Sequence, residues 1–270
     1  MFAGNDKVFD GVLTCVLSIL KRTVTDEPFS IYLLTMDVSH IKPEYKALSE
    51  HQAEVLEATV KSYNAESRVT RIDVSDLYNE CFADCPNETA YCSPYTLLRL
   101  LADEIDIIPD KILYLDADIM FNRDITLLYD HDIEGYEYAA ARDHYGKYII
   151  NHNYINAGVL LLNMKMIRQT GLFAKAREML KEKKLPFADQ SAIYRNTSKK
   201  LMLPQRYNDQ KFLHDHTVVR HFSKRLFYLP YPHTENLKQW QIDKVHDKFG
   251  YNQFDDIYSE YERIKLENEV

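Results

Sequence analysis

The stretch Lys111-Ile-Leu-Tyr-Leu-Asp-Ala-Asp118 constrains the fold of this chain more than any other. An apolar run opens at Ile112 and stops at two carboxylates, Asp116 and Asp118, one residue apart. Pro109-Asp110 bounds it on the other side, and an apolar segment this short predicts a strand buried on both faces. Open α/β sheets bind ligands beyond the carboxyl ends of such strands, which is where the two acids fall. Paired hard oxygen donors suit Mg²⁺ or Mn²⁺, and that cation suits a nucleotide diphosphate. The plain alternative is a solvated turn or a helix cap, roles open to any lone Asp-x-Asp.

The segments around this strand predict a sheet for it to join. Met1–Asp6 reads as the tail of a first strand running into a polar loop, and 12–20 has one apolar helical face. Phe29–Met36 predicts a second strand, 42–60 a helix and Arg68–Val74 a third strand. This β-α-β-α-β order opens a doubly wound, mostly parallel sheet with helices on both faces. A loop over 79–94 and a helix over 97–107 precede the Asp-x-Asp strand. Beyond it come strands at 136–141 and 157–163, a loop at 144–156, and helices to about 184 and from 189. The last third mixes short strands, aromatics and a charged helical tail. No internal repeat or Gly/Ser linker breaks the chain, so 1–270 reads as one domain.

Composition narrows the function classes. At 270 residues the chain can bury a substantial core, and a net charge of −8 argues against a nucleic-acid partner. The charge is uneven: 101–143 hold 12 acidic against 3 basic residues, and 165–225 hold 15 basic against 5 acidic. The first segment suits a cation and the second an anionic ligand, although solvated helix faces explain many of these charges. Cys81, Cys85 and Cys92, with Asp84 and Glu88 nearby, lack the paired C-x₂-C spacing of a zinc site, and Cys15 reads as core. No run reaches membrane-spanning length and no signal segment opens the chain, so the expectation is a cytoplasmic protein. Peripheral seating on the inner face of the membrane is the one variant of that expectation. The mixed ending Glu262–Val270 gives no sign of an interfacial anchor.

Several motifs line up in one order. They are Tyr95-Thr-Leu-Leu-Arg99-Leu, Lys111–Asp118, Asn156-Ala-Gly158-Val-Leu-Leu-Leu-Asn163, Asp189-Gln190, Gln205-Arg-Tyr-Asn208 and Val218-Val-Arg-His221-Phe. Together they resemble the bacterial glycosyltransferases of family eight over residues 2 to about 240. The resemblance implies a GT-A fold, with a nucleotide-binding half at 1–118, a donor-sugar and acceptor half at 119–240 and a helical tail at 241–270. It further implies a UDP-hexose donor, Mn²⁺ or Mg²⁺, and transfer to a saccharide or glycolipid acceptor with retention of configuration. Cell-surface polysaccharide or lipopolysaccharide-type synthesis is the implied setting.

By the family pattern Asp116 and Asp118 bind the metal with His221 as third ligand, and Ala117 between them counts among the donor contacts. An imidazole in the set leans toward manganese. Ala3, Asn5 and Asp6 match the loop that grips uracil and ribose, but the usual first strand is almost missing and Lys7 replaces a common polar residue. Arg99 matches a donor contact; its plain alternative is a surface partner of Asp103. Asp143, Asn156, Asp189 and Gln190 match the hexose pocket, and Asp189 could equally be an N-cap. The family's diphosphate lysine falls on Lys224 or Lys238, and order and proximity favour different ones.

The resemblance implies that Gln190 holds the position nearest the anomeric carbon, and an amide is a poor nucleophile. A double displacement with a carboxylate nucleophile is therefore disfavoured. Front-face transfer follows: the departing phosphate takes the acceptor proton while Gln190 and Asp189 stabilise the oxocarbenium-like centre. A nucleotidyltransferase would need a longer Gly- and Lys-containing loop than Gly4–Lys7. A non-catalytic sugar-nucleotide binder would not need the whole motif set.

Overall fold

The computed structural model describes residues 1–88, 93–227 and 231–270. The first half runs β1 (Phe2–Ala3), α1 (Phe9–Arg22), β2 (Ser30–Thr35), α2 (Glu50–Tyr63), β3 (Arg68–Asp73) and α3 (Ser75–Phe82). A 3₁₀ segment, Pro94–Glu104, then leads to β4 (Lys111–Leu115), the expected strand. Next come β5 (Ile119–Phe121), α4 (Thr126–Tyr129), β6 (Tyr138–Ala141), α5 (Gly146–Ile149) and β7 (Val159–Asn163). The remainder is α6 (Met164–Thr170), α7 (Leu172–Glu182), α8 (Ala188–Asn196), β8 (Lys200–Leu203), β9 (Val219–His221), β10 (Arg225–Phe227), β11 (His233–Glu235), α9 (Ile242–Phe249) and α10 (Asp255–Asn268).

Met1 joins two groups of strands into one sheet. Its amine donates to Leu113 O at 2.8 Å and its carbonyl accepts from Leu115 N at 3.0 Å, the slanted pattern of a parallel pair. The order becomes β3-β2-β1-β4-β7-β6-β8, parallel throughout except where β7 runs against β4 and β6. Two apolar layers cover it, and the side-chain period of two sorts residues between them. Leu113, Leu115, Val159, Leu161 and Ala139 enter the layer with α1, α2 and α10. Ile112, Tyr114, Leu160, Leu162 and Ala140 enter the layer with the 3₁₀ segment, α7 and α8. Each buried Leu or Ile of this kind stabilises the fold by about 1.5–3 kcal/mol. β4 is thus buried on both faces, which is why it reads as an unbroken apolar run.

Local chemistry moved three expected boundaries. The helix expected from 42 begins at Glu50, because Ser49 and Gln52 form a capping box worth about 1 kcal/mol. The supposed loop at 79–94 begins inside a helix, where Tyr78 and Phe82 pack into the core. The helix at 97–107 is a 3₁₀ segment instead; Ser93 caps it and Pro94 starts it. Cys85 donates its Sγ to Leu180 O in the core, which removes it from metal chemistry, and Cys92 lies outside the described residues. At the amino-terminal ends of β1, β2 and β4 lies a cavity of about 540 Å³, lined by Phe2, Ile19, Ile31, Tyr32, Leu113 and Tyr129 among others. Neither Asp116 nor Asp118 touches it.

Candidate active site

The polar residues of interest gather at the opposite end of the sheet. β4 ends at Leu115 and delivers Asp116, whose backbone N–H bonds Gly158 O at 2.8 Å across to β7. The chain then turns through Ala117 and Asp118 into β5, which pairs antiparallel with β9 so that Ile119 faces His221. Phe222 N donates to Asp118 O at 2.7 Å, clamping the turn against β9. A hundred residues of separation are closed by this three-residue ladder. One ligand atom each from Asp116, Asp118 and His221 lies within 4.8 Å of the others.

The imidazole is oriented from behind. Asn208 is fully buried; its Nδ2 donates to Asn156 Oδ1 at 2.8 Å, and its Oδ1 lies 3.0 Å from His221 Nδ1. An Oδ1 so placed accepts, which puts a proton on Nδ1 and turns Nε2 toward Asp118 Oδ1 at 3.1 Å. Asn208 stood in a matched motif with no role assigned, and its burial beside a histidine is invisible in sequence. Gly158 lies beneath the cluster: a methyl there would come 2.8 Å from Asp116 Oδ2 and closer still to His221 Cε1. Two carboxylates and a buried imidazole over a side-chain-free floor are a donor set that fits Mn²⁺ or Mg²⁺.

Asp118 is the most strongly held acid. Burial pushes its carboxyl up, but Lys238 and His221 together pull it well below the usual carboxylate range. Lys238 Nζ lies 2.5 Å from Asp118 Oδ2. Lys224 is exposed on the connection between β9 and β10. Beside Lys238, Gln239 is fully buried and its Nε2 donates to Ala117 O at 2.7 Å and Thr14 Oγ1 at 3.1 Å. Gly11 of α1 lets this happen, since a methyl there would overlap Ala117 O and the Trp240 ring. The role of Gln239 and Gly11 was missed in the sequence because neither belongs to a motif that faces a ligand.

Arg99 links this cluster to the expected sugar pocket. It is 2% exposed, stacks 4.1 Å above the Tyr114 ring, and donates through Nη2 to Asp116 Oδ1 at 2.9 Å and through Nη1 to Ala157 O at 2.5 Å. Its Nε lies 3.1 Å from Asp189 Oδ2. Asp103, the alternative partner, pairs with Arg177 instead. Burial pushes the Asp189 carboxyl up to about 6 against the opposing pull of Arg99. Removing one member of such a buried pair costs about 3–5 kcal/mol. Gln190 Oε1 accepts from Ala157 N at 3.0 Å. Phe187 and Ala188, just before these two residues, both have positive φ, of 55° and 29°. Each such non-glycine position costs about 1–3 kcal/mol, and strain of this kind concentrates at functional sites.

The remaining expected residues split into two groups. Asp143 Oδ2 accepts from Asn156 Nδ2 at 2.9 Å, and its Oδ1 caps the turn at Tyr145 and Gly146. Asn156 Oδ1 in turn accepts from Gly158 N at 3.0 Å, so Asp143, Asn156 and Gly158 are one network with Asn208. Ala3 ends β1, and Asn5 and Asp6 follow it at the same sheet end, apart from that network. Asn5 is buried and bridges to Ala47, while Asp6 Oδ1 is a buried acceptor with no hydrogen-bond partner.

Known proteins share the sequence pattern and the fold of this chain. The sequence model of Glycosyl transferase family 8 matches residues 1–222. Glycosyltransferase GlyA of Streptococcus pneumoniae is 26% identical over 81% of the chain, and GlyF of the same organism is 26% identical over 60%. The matched regions span only 28% and 37% of those two proteins. An active-site mutant of LgtC superposes with a TM-score of 0.70 at 20% identity, covering 96% of this chain and 94% of LgtC. LgtC in complex with donor and acceptor sugar analogs gives 0.68 at 19% identity, over the same shares. GlyE of S. pneumoniae gives 0.60 at 20%, covering 96% of this chain and 62% of GlyE. These superpositions establish a GT-A fold, and with a family model spanning most of its length the chain belongs to glycosyl transferase family 8.

Proposed function

We propose that this glycosyltransferase moves a hexose, glucose or galactose, from a UDP-sugar to a saccharide or glycolipid acceptor with retention of configuration. The observation that carries the reading is the convergence of Asp116, Asp118 and His221 over Gly158 at the ligand-binding end of the sheet. These three residues would hold Mn²⁺ or Mg²⁺, which when bound supplies Lewis-acid neutralisation of the departing diphosphate. Residues 1–118 serve the nucleotide and 119–240 the sugar and acceptor, with 241–270 as a supporting tail. No helix among the described residues is long and apolar enough to cross a membrane.

The residues of the chain divide the remaining work. Asp6 Oδ1, lacking a partner, accepts from a ribose hydroxyl, and Ala3 and Asn5 shape the base end of that loop. Lys238 adds positive charge beside Asp118 where the pyrophosphate must lie. Asp143 and Asn156 brace the hexose pocket through their mutual bond. Gln190, uncharged and seated on Ala157 N, stabilises the developing positive centre without attacking it. Asp189, tied to Arg99, contributes its charge from behind. The incoming hydroxyl attacks from the face the diphosphate leaves, and its proton passes to a departing phosphate oxygen.

A panel of nucleotide sugars incubated with Mn²⁺ and the protein tests this reading by release of free nucleotide. UDP release from UDP-glucose or UDP-galactose, faster with saccharide acceptor, is the expected result. Tight UDP-hexose binding without release would make the protein a binder, and activity on no UDP-sugar would overturn the donor.

A further inference from the structure

The two oxygens of Asp118 face different groups. Oδ2 takes the Lys238 ammonium at 2.5 Å, and Oδ1 lies 3.1 Å from His221 Nε2. A divalent cation on Asp116, Asp118 and His221 would take the Nε2 lone pair and one from Asp118, the carboxylate that already holds the Lys238 ammonium. Two positive charges on one largely buried carboxylate oppose each other, because little water is there to screen them. Cation and ammonium are competitors for Asp118.

The lysine is built to yield. Its backbone is pinned independently of its charge: Lys238 N donates to Gln241 Oε1 at 3.1 Å, and Lys238 O accepts from Gln241 N at 3.0 Å. Gln239 anchors the next position under Ala117, and Trp240 packs against Gly11. Only the flexible four-carbon stem and its point charge are left to choose a partner. A diphosphate beside the cation would offer that ammonium a second anion within the same neighbourhood.

We propose that Lys238 couples cation binding to nucleoside diphosphate binding: its ammonium rests on Asp118 until a diphosphate takes it, and the release frees Asp118 for the metal. This rests on the reading of Asp116, Asp118 and His221 as the cation site, and goes beyond it by assigning Lys238 to cooperativity. Linkage makes the effect reciprocal, so the cation tightens the diphosphate by the same factor.

The test is calorimetric titration of Mn²⁺ into wild type, K238M and K238R, each with and without saturating UDP, with folding followed by far-UV circular dichroism. UDP should tighten Mn²⁺ binding to wild type by roughly 5- to 150-fold, the usual range for coupled sites. K238M should bind Mn²⁺ alone several-fold tighter than wild type and lose most of the UDP effect, whereas K238R, still charged, should keep the weak binding of Mn²⁺ alone. K238Q replaces K238M should the latter misfold. If Mn²⁺ alone binds K238M no tighter than wild type, or if UDP tightens both alike, the coupling is refuted while the transferase reading stands. If Mn²⁺ binds wild type in neither condition, both are refuted together.

Discussion

The sheet has two ends built by the same strands from opposite chemistries. At the carboxyl ends of β4 and β6 and before β7 stand Asp116, Asp143 and Asn156, where acids, amides and a guanidinium are bonded together, with Asp6 apart from them beyond β1. At the amino ends β1, β2 and β4 begin around an apolar cavity of about 540 Å³. A void of that size is the usual mark of a ligand site, and Glu27, Asp130 and Lys111 are among its lining residues, yet none of the expected site residues lies there. The difference teaches that volume and chemistry report different things: the polar end gathers the expected site residues through hydrogen bonds, and the roomy end is mostly apolar.

Substitutions can break this contrast or sharpen it. Asp118→Asn removes the charge shared by Lys238 and His221, and cation-dependent transfer should fall by roughly 10³-fold with the fold retained, as seen by turnover against circular dichroism. Full activity in that variant would detach the polar end from catalysis. Gln190→Ala should lower kcat by about 10²-fold with KM little changed; an effect on KM alone would make Gln190 a binding group. Gly158→Ala forces a methyl against Asp116 and His221 and should weaken Mn²⁺ by about 10–100-fold in a direct titration, comparable with loss of a supporting group at a metal.

Acidity gives a finer probe of the same end. With Asp189 pushed up to about 6, lowering pH through that value protonates it and leaves Arg99 short of one anionic partner. The pH profile of kcat/KM should therefore rise to a plateau above about 6, and Asp189→Asn should abolish that limb. The sign for folding is opposite. Because the folded carboxyl holds its proton more tightly than the unfolded one, stability falls as pH climbs from the ordinary carboxylate range through about 6. The smallest effect on turnover is expected at the apolar end: Ile31→Ala, lining the cavity, should cost about 2–5 kcal/mol in denaturant melts and leave turnover per folded molecule unchanged.

How legible all this was depended on distance along the chain. β4 was readable because a strand buried on both faces has no polar interruptions, and Asp116 and Asp118 mark its end without ambiguity. His221 could be placed only through the family pattern, since nothing local links it to β5. The start of α2 was misplaced because Lys42–Val60 has apolar spacing on both sides of Ser49, and the capping box alone decides where the helix begins. Gln239, Asn208 and Gly11 stayed hidden for a common reason. Each matters through what it touches from a remote segment, and no periodicity in the sequence encodes such a contact.

Arg99 carries a consequence for which donors the protein can accept. One guanidinium spans from Asp116 to Asp189, and both links are short and charged, the second of them buried. It acts as a ruler cut to a fixed length, since neither acid can shift without stranding the other. If the proposed donor site holds, with Asp116 at the pyrophosphate and Asp189 at the hexose, a donor with a single phosphate between nucleoside and sugar would bring its anomeric carbon up short of Gln190, and re-tailoring the protein for it would begin by replacing the ruler rather than the pocket.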